Sequence, residues 1–258
     1  MSLFDLAGKV AIITGSSKGI GKAIAERMAE HGAKVVISSR NADTCESVAS
    51  AIRAKGGDAF AMSCHVGKKE ALQALVDTTM KRWGRIDILV CNAAVNPHYG
   101  RSIEITDEIY DRVMNTNVKS NFWLCHMVLP QMAARKDGVV IIVSSIAGVQ
   151  GSDRLGLYGL SKAADMQLTR NIAVEWGPHN IRANCLAPGV IKTEFSRALW
   201  DNPNSVSLQA TMQSPLQRIG DPDEVAGAAV FLAAKAGTFI TGQTILIDGG
   251  RTIGRVSQ

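Results

Sequence analysis

Short apolar runs alternate with longer helical patterns along most of the 258-residue chain. The runs are rich in Val and Ile and nearly continuous, which is typical of strands covered on both faces. They lie at 9–14, 34–39, 86–91, 138–145, 181–187 and 243–248, with a weaker candidate at 58–62. Helical patterns occupy 19–31, 42–55, 68–83, 106–134, 157–177 and 222–234. This alternation predicts an α/β fold with a parallel, doubly wound sheet of seven strands and helices on both faces.

No internal repeat or linker divides the chain, so residues 1–258 are predicted to form a single domain. The helix at 157–177 is well marked, because Gly177-Pro178 ends it and apolar residues recur at every fourth position: Leu160, Ala164, Leu168 and Ile172. The irregular stretch 189–218 carries three large apolar residues, Phe195, Leu199 and Trp200. Such a stretch is predicted to be a substrate lid, with an ordinary surface excursion as the alternative.

A glycine-rich turn follows the first predicted strand. It reads TGSSKGIG at 14–21, with glycines at positions 15, 19 and 21. Glycine permits a tight turn and a close approach of backbone to ligand, and the helix that follows offers its N-terminal N–H groups to a phosphate. A strand before the turn, a helix after it and a second strand about twenty residues on form the context of a Rossmann-type dinucleotide site. A purely structural turn is the alternative.

The end of the second strand distinguishes the two nicotinamide dinucleotides, because NAD sites usually place Asp or Glu there to hold the ribose 2′-hydroxyl. This chain has Arg40 at that position, preceded by Ser39, and Lys18 in the glycine turn is a second cation. Two cations without a carboxylate favour a 2′-phosphate, so the predicted cofactor is NADP(H). In the alternative, Arg40 is a solvated loop arginine and NAD(H) binds.

These motifs, with several others in order, carry a resemblance to a known family. The others read CNAAV at 91–95, NTNV at 115–118, SSIAG at 144–148, YGLSK at 158–162 and APGVIKT at 187–193. With this set the chain resembles the short-chain dehydrogenase/reductase superfamily, in its one-domain branch, over essentially its whole length. The resemblance implies a Rossmann fold and an NADP-dependent oxidoreductase.

By position, the resemblance makes Asn117, Ser145, Tyr158 and Lys162 the catalytic tetrad. Ser145 is preferred to Ser144 because it stands thirteen residues before the tyrosine. The APGVIKT segment is expected to close over the nicotinamide. The complete set of predicted cofactor residues is Gly15, Ser17, Lys18, Gly19, Ile20, Gly21, Ser39, Arg40, His65, Val66, Asn92, Ala93, Tyr158, Lys162, Pro188, Gly189, Ile191 and Thr193.

The pairing of Tyr158 with Lys162 has a chemical reason. Residues four apart share a helix face, although an isolated pair of this kind is usually a surface pair. Lowering the pKa of a tyrosine from about 10 to about 7 takes about 4 kcal/mol. A unit charge about 4 Å away supplies roughly that amount at an effective dielectric constant of about 20. Lys162 is therefore predicted to stabilise the Tyr158 phenolate, with Ser145 polarising the substrate oxygen and Asn117 holding a water that links Lys162 to solvent.

Two positions depart from the family pattern. Ala94 replaces the last glycine of the usual N-N-A-G, and His65 stands where an aspartate usually meets the adenine. His65 is expected to stack on or bond the adenine ring, or merely to be tolerated at an exposed rim. Neither position is expected to touch the chemistry.

The predicted reaction is reduction of a ketone or aldehyde, or oxidation of the corresponding alcohol. The alternative is 3-oxoacyl-(acyl carrier protein) reduction, which shares every motif, and a non-catalytic NADP-binding sensor is a third hypothesis. Enoyl reduction is disfavoured, because relatives that act on C=C bonds space the Tyr and Lys more widely. The substrate pocket is expected from 95–99, 149–155 and 189–215. The resemblance also implies a homotetramer.

The resemblance implies a small-molecule carbonyl or alcohol substrate as the partner, and composition argues against other kinds of partner. The net charge of +5 comes without a run of five basic residues, so nucleic-acid binding is not predicted. No apolar run reaches the length of a membrane span, and MSLFDLAGKV lacks a signal-peptide pattern. The five cysteines are scattered, and no histidines have metal-ligand spacing. We therefore predict free thiols, no metal and a cytoplasmic location.

Overall fold

The computed structural model describes residues 2–256 of the chain. Within these residues, seven strands form one parallel sheet in the order β3-β2-β1-β4-β5-β6-β7. Residue 1 and residues 257–258, at the two ends of the predicted single domain, lie outside the described residues. The strands are β1 (Val10–Thr14), β2 (Lys34–Ser39), β3 (Asp58–Ser63), β4 (Ile88–Cys91), β5 (Gly138–Val143), β6 (Ile181–Pro188) and β7 (Thr244–Ile247).

Helices connect the strands as the polar and apolar pattern predicts. They are α1 (Gly19–Glu30), α2 (Ala42–Ala54), α3 (Lys69–Trp83), α4 (Asp107–Met114), α5 (Ser120–Arg135), α6 (Gly156–Trp176), α7 (Arg197–Trp200), α8 (Val206–Met212) and α9 (Pro222–Ala233). Side chains from α1, α2 and α9 pack on one face of the sheet, and those from α3, α5 and α6 pack on the other.

The strands divide their side chains between the two packed faces. In β1, Ala11 and Ile13 join the cluster on the α1 side, whereas Ile12 joins the cluster on the α5 side. All three side chains are fully buried, which explains the continuous apolar run in the sequence. The predicted doubly wound α/β fold with a seven-stranded parallel sheet is therefore confirmed.

The strand order reverses beside β1, which pairs with β2 on one side and with β4 on the other. The carboxyl ends of β1 and β4 therefore diverge into a crevice, the position at which open α/β sheets bind ligands. Residues after β2, β5 and β6 border the same edge, because all seven described strands run in one direction.

The predicted helix 106–134 is not continuous. Asp107–Met114 and Ser120–Arg135 are α-helical, but one wider π-helical turn, Asn115–Lys119, separates them. Such turns insert an extra residue and are frequent at functional sites. Here the turn carries Asn117, one of the predicted tetrad residues.

The stretch 189–218 is more ordered than predicted. It contains the two short helices α7 and α8, and a backbone bridge joins its start at Ile191 to Gly220. Trp200 donates from Nε1 to the Ser196 side chain over 3.1 Å, so its indole ring holds the segment together locally. None of the helices within residues 2–256 combines the length and apolarity needed to cross a membrane.

Candidate active site

A cleft of about 1280 Å³ opens at the carboxyl edge of the sheet. Its lining includes every predicted cofactor residue except Gly21, together with Ser145. Two predicted residues lie behind its surface: Gly21 and Asn117 are both buried. The structure therefore brings motifs from six parts of the chain to one site.

The glycine turn requires glycine for two different reasons. Gly15 has a φ of +67°, a conformation that side chains disfavour. Gly21 has ordinary backbone torsions, but an added Cβ would lie 2.5 Å from the carbonyl oxygen of Gly15. Helix α1 then begins without a side-chain cap, although α2 and α4 are capped by Asn41 and Thr106. The N–H groups of its first turn consequently face the cleft and fit a phosphate.

The ends of β1 and β4 are tied together by Thr14 and Asn92. Thr14 Oγ1 accepts from the N–H groups of Asn92, at 3.0 Å, and Ala93, at 3.1 Å. Asn92 Nδ2 in turn donates to the Thr14 carbonyl oxygen over 2.9 Å. These bonds fix the width of the crevice between the two strands before any ligand enters it.

The two cations predicted to bind the 2′-phosphate, Arg40 and Lys18, have different surroundings. Arg40 is exposed at the cleft, directly after β2. Lys18 lies across from it in the glycine turn but is paired with Glu194 over 2.8 Å. Both partners of that pair are largely exposed, so the pair contributes little to stability and a phosphate can compete for the lysine. His65 is exposed at the rim and accepts from the Gly67 N–H through Nδ1, within its own turn.

Helix α6 turns polar residues toward the protein interior. Lys162 is 2% exposed, while Leu160, one of the apolar residues that recur at every fourth position, is 54% exposed. The recurrence of apolar residues therefore does not mark the buried face at the N-terminal end of this helix. The residues that share the buried face include Leu157, Ser161, Lys162, Asp165, Met166, Thr169 and Ile172.

Lys162 is held firmly in this interior position. Its Nζ donates to the Val143 carbonyl oxygen over 2.9 Å and to Asp165 Oδ2 over 3.0 Å. The same nitrogen lies 5.8 Å from the centre of the Tyr158 ring. Burial opposes the ammonium, but Asp165 and then Tyr158 outweigh it, so the pKa of Lys162 is raised and the side chain is charged.

The protein groups around Tyr158 shift its pKa in the direction opposite to the one predicted. Burial raises the pKa of Tyr158, Lys162 lowers it, Asp165 raises it further, and a hydrogen bond with Ser145 lowers it. The net effect is a raised pKa. The prediction assumed an uncompensated charge at about 4 Å, whereas the charge of Lys162 is offset by a carboxylate.

Ser145 and Ser144 follow β5 and have separate tasks. Ser145 is partly exposed in the cleft, and its Oγ accepts from the Ala147 N–H over 3.1 Å, which orients the hydroxyl. Ser144 is buried and donates to the Lys162 carbonyl oxygen over 2.8 Å. Both serines line the cleft, Ser145 with the more exposed side chain, and the preference for Ser145 as the residue that faces a substrate stays a prediction.

Asn117 fastens the π-helical turn to its surroundings. Its Oδ1 accepts from the Val95 N–H over 2.8 Å, and its Nδ2 donates to Val95 O and Ser161 Oγ, each over 3.0 Å. The side chain is therefore fully occupied and 0% exposed. The backbone carbonyl oxygen of Asn117 accepts a hydrogen bond from Asn121 Nδ2. Asn121 Nδ2 also donates to Asp165, which is the partner of Lys162, so Asn117 is linked to Lys162 through these two residues.

Asn121 and Asp165 are the functional candidates that the sequence interpretation missed. Both are buried, at 4% and 0% exposure, and both lie in direct contact with the site. A signal was present in the sequence, because positions 158, 161, 162, 165 and 169 share one helix face and all carry polar side chains. Only Tyr158 and Lys162 were singled out on this face.

The substrate half of the cleft begins beyond Tyr158. Phe195 lies with its ring centre 6.3 Å from that of Tyr158, and Tyr99, Leu199 and Val206 line the same region. The segments 95–99, 149–155 and 189–215 contribute lining residues as predicted. Three arginines also line the cleft: Arg154 lies within the predicted segment 149–155, whereas Arg112 and Arg251 lie outside the predicted segments.

The fold and this cleft define a protein class, dinucleotide-dependent oxidoreductases with a Tyr and Lys one helical turn apart. Residues 15–252 match a family model described as enoyl-(acyl carrier protein) reductase. Dehydrogenase/reductase SDR family member 4 from Homo sapiens is similar at 44% identity over 246 residues, covering 95% of this chain and 88% of that protein.

Two solved structures are similar over nearly the whole chain. One is 7α-hydroxysteroid dehydrogenase complexed with NADH and 7-oxo glycochenodeoxycholic acid, with a TM-score of 0.91, 36% identity and 96% coverage of both chains. The other is described as an NAD(P)-dependent gluconate 5-dehydrogenase from Beutenbergia cavernae with bound NADP at low occupancy. Its TM-score is 0.93 at 30% identity, covering 98% of this chain and 100% of that one.

The chain belongs to the short-chain dehydrogenase/reductase family, as its motifs indicate. It is accordingly an oxidoreductase that uses a nicotinamide dinucleotide, NAD(P)(H), and acts on carbonyl or alcohol groups of small molecules.

Proposed function

We propose that the protein reduces a ketone or aldehyde with NADPH, or oxidises the corresponding secondary alcohol with NADP⁺. The observation that supports this most strongly is the placement of Tyr158, Ser145 and Lys162. The phenol and the Ser145 hydroxyl face the same cleft as the glycine turn, and the charged Lys162 lies directly behind the phenol.

Each of these side chains has a task in carbonyl reduction. The bound cofactor supplies a hydride to the carbonyl carbon. Tyr158 donates its hydroxyl proton to the carbonyl oxygen, and its raised pKa keeps that proton in place at neutral pH. Ser145 donates a hydrogen bond to the same oxygen as negative charge develops on it. Lys162 stabilises the phenolate that remains after the proton has moved.

The preference for NADP(H) is part of the proposal. Arg40 is exposed at the end of β2, where a 2′-phosphate would lie, and no carboxylate occupies that position in the sequence. Arg forms two parallel hydrogen bonds with a phosphate and discriminates by charge against the 2′-hydroxyl of NAD.

The proposal also covers the surroundings of the site. We assign the stretch 189–218 the role of a substrate lid, because Phe195 faces Tyr158 and its short helices border the cleft. A homotetramer is supported by large apolar side chains exposed on α5, α6 and the region of β7, namely Phe122, Leu160, Val174, Phe239 and Leu246. The five buried, unpaired cysteines are consistent with the reducing cytoplasm.

Reduction of a 3-oxoacyl thioester on an acyl carrier protein is the second candidate function. Arg112, Arg154 and Arg251 line the cleft, and its two acidic lining residues among those described are Asp153 and Glu194, of which Glu194 is paired with Lys18. A positive mouth suits an acidic carrier or an anionic substrate.

The test is NADPH consumption with a panel of ketones, aldehydes, quinones and a 3-oxoacyl thioester, run in parallel with NADH. We expect turnover of one carbonyl class, faster with NADPH. Tyr158→Phe should lower kcat by about a thousandfold while cofactor binding persists, because only the transferable proton is lost. Tyr99→Phe, a second tyrosine of the cleft, is the matched control and should retain activity.

Turnover of the thioester alone would replace the first candidate with the second. Equal activity of Tyr158→Phe and wild type would refute the assignment of the proton donor. Binding of NADPH without turnover in either direction would favour a non-catalytic, cofactor-sensing role.

A further inference from the structure

A buried carboxylate lies directly against the lysine of the proposed site. Asp165 is 0% exposed, and its Oδ2 accepts from Lys162 Nζ over 3.0 Å. A carboxylate buried at this depth is costly unless it is paired and its remaining oxygen is hydrogen-bonded. An apolar residue at this position would leave the buried Lys162 ammonium without its charge partner, so the role of the carboxylate has to be explained together with that of the lysine.

Asn121 supplies the remaining hydrogen bond. Its Nδ2 donates to Asp165 Oδ1 over 2.9 Å and to the Asn117 carbonyl oxygen over 2.6 Å. A continuous chain of protein groups therefore runs from the π-helical turn through Asn121 and Asp165 to Lys162. With one donor on each oxygen, Asp165 has a fixed orientation.

Two thiols on neighbouring strands also interact with this pair, and a third contacts one of them. Cys185 on β6 lies near both Lys162 and Asp165, and burial raises its pKa to about 12. Cys91 on β4, hydrogen-bonded to Cys125 on α5 and buried, has a pKa raised well above its ordinary value. Cys91 and Cys185 are therefore neutral at neutral pH. Among the described groups that shift Tyr158, the charged ones are Lys162 and Asp165.

We propose that Asp165 is a positioning residue of this site: oriented by Asn121, it fixes the Lys162 ammonium and offsets its charge, so that Tyr158 keeps its proton to a higher pH than it would beside an unpaired lysine. The two charges act on the phenol in opposite directions, Lys162 favouring the phenolate and Asp165 opposing it. The inference rests on the proposed function only in taking Tyr158 as the proton donor.

The direction of the expected change in the pKa of Tyr158 follows from the pairing of Asp165 with Lys162. Replacing Asp165 with Asn removes one negative charge and keeps the size of the side chain, which leaves the charge of Lys162 uncompensated. The pKa of Tyr158 should then fall by about one unit, because a buried unit charge at this range has an effect of that order. The fraction of phenolate at neutral pH rises accordingly.

The first measurement is a spectrophotometric titration of phenolate in the protein without substrate. The chain has only three tyrosines. The signal of Tyr158 is isolated by subtracting the titration of Tyr158→Phe from that of wild type. For the variant, the titration of the double variant Asp165→Asn/Tyr158→Phe is subtracted from that of Asp165→Asn. We expect the midpoint to move to lower pH in the variant. The matched control is Asp153→Asn, which removes a charge from the same cleft at an exposed side chain and should leave the midpoint in place.

The second measurement is the pH profile of kcat/KM for alcohol oxidation, in which Tyr158 acts as the base. The acidic limb should move to lower pH in Asp165→Asn, and the alkaline limb of carbonyl reduction, in which Tyr158 is the acid, should move to lower pH as well. Asp165→Ser, which leaves room for water in place of the carboxylate, should change alcohol oxidation and carbonyl reduction in the same direction as Asp165→Asn.

If the Tyr158 titration midpoint in a folded Asp165→Asn variant were unchanged or at higher pH, the proposal would be overturned, even if the variant were less stable. Failure of both the Asn and the Ser variant to fold would overturn it too, in favour of a purely structural role. The titration needs no turnover, so an inactive wild type would refute the proposed function and leave this result interpretable.

Discussion

The two halves of the cleft are built in different ways. The cofactor half is made by backbone at the ends of β1, β2 and β4, and hydrogen bonds from Thr14 and Asn92 fix its width. The substrate half is made by segments that leave β4, β5 and β6, and it presents exposed side chains such as Tyr99 and Phe195, at 50% and 56% exposure. The sheet holds the cofactor half rigidly, whereas loops form the substrate half.

This difference explains how one fold serves many substrates. Changes at the cofactor half meet backbone atoms that cannot move without disturbing the sheet, so few residues are tolerated there. Changes at the substrate half meet side chains with open solvent on one side, so the pocket can vary while the fold and the cofactor remain constant.

The largest expected effect tests the rigidity of the cofactor half. Gly21→Ala would place a Cβ 2.5 Å from both Asn92 Nδ2 and the Gly15 carbonyl oxygen. We expect destabilisation by about 2 kcal/mol and a loss of dinucleotide affinity of at least about a hundredfold. Thermal unfolding and cofactor titration would measure the two effects.

Gly227→Ala is the matched control for that substitution. Gly227 lies in α9, is exposed, and an added Cβ would meet no atom within 4 Å. Because alanine favours the helix, this variant should be more stable than wild type by about 0.5–1 kcal/mol. Equal behaviour of the two variants would contradict the account of the cofactor half as sterically fixed.

An intermediate effect is expected where charge rather than shape selects the ligand. Arg40→Ala should lower the ratio of kcat/KM for NADPH to that for NADH by about tenfold or more, through loss of charge-assisted hydrogen bonds to the 2′-phosphate. Lys55→Ala, which removes an exposed cation just beyond α2, should leave the ratio unchanged. An unchanged ratio in the Arg40 variant would mean that another residue selects the cofactor.

The smallest effect is expected in the substrate half. Phe195→Ala removes an exposed aromatic ring that faces Tyr158, so KM for the substrate should rise about threefold while KM for the cofactor stays constant. Phe4→Ala, at an exposed position outside the cleft, is the control for loss of an exposed ring. A larger effect on the cofactor than on the substrate would show that the two halves are not separable.

Much of the fold follows from local sequence. Each predicted strand lies within two residues of a strand in the structure, because continuous Val- and Ile-rich runs leave little choice but a doubly covered sheet. The break at Asn115–Lys119 was not predictable in this way, since a π-helical turn has no distinct apolar period. It depends on Asn117 reaching the backbone of Val95, 22 positions away.

Most of the candidate site followed from motifs as well. The glycine turn, Arg40, Ser145, Tyr158 and Lys162 stand at characteristic spacings, and the structure places all of them on one cleft. The pKa of Tyr158 did not follow, because it depends on burial and on a carboxylate whose position becomes known only once α6 is packed.

The sequence by itself therefore determined the sheet, the dinucleotide turn and the presence of a Tyr and a Lys on one helix face, because each depends on residues close together in the chain. Only the tertiary structure decided that Asn121 donates to Asp165, 44 positions away, and that both lie beside Lys162. The physical reason is that the effect of a charge depends on its distance, its burial and its partners, and packing sets all three.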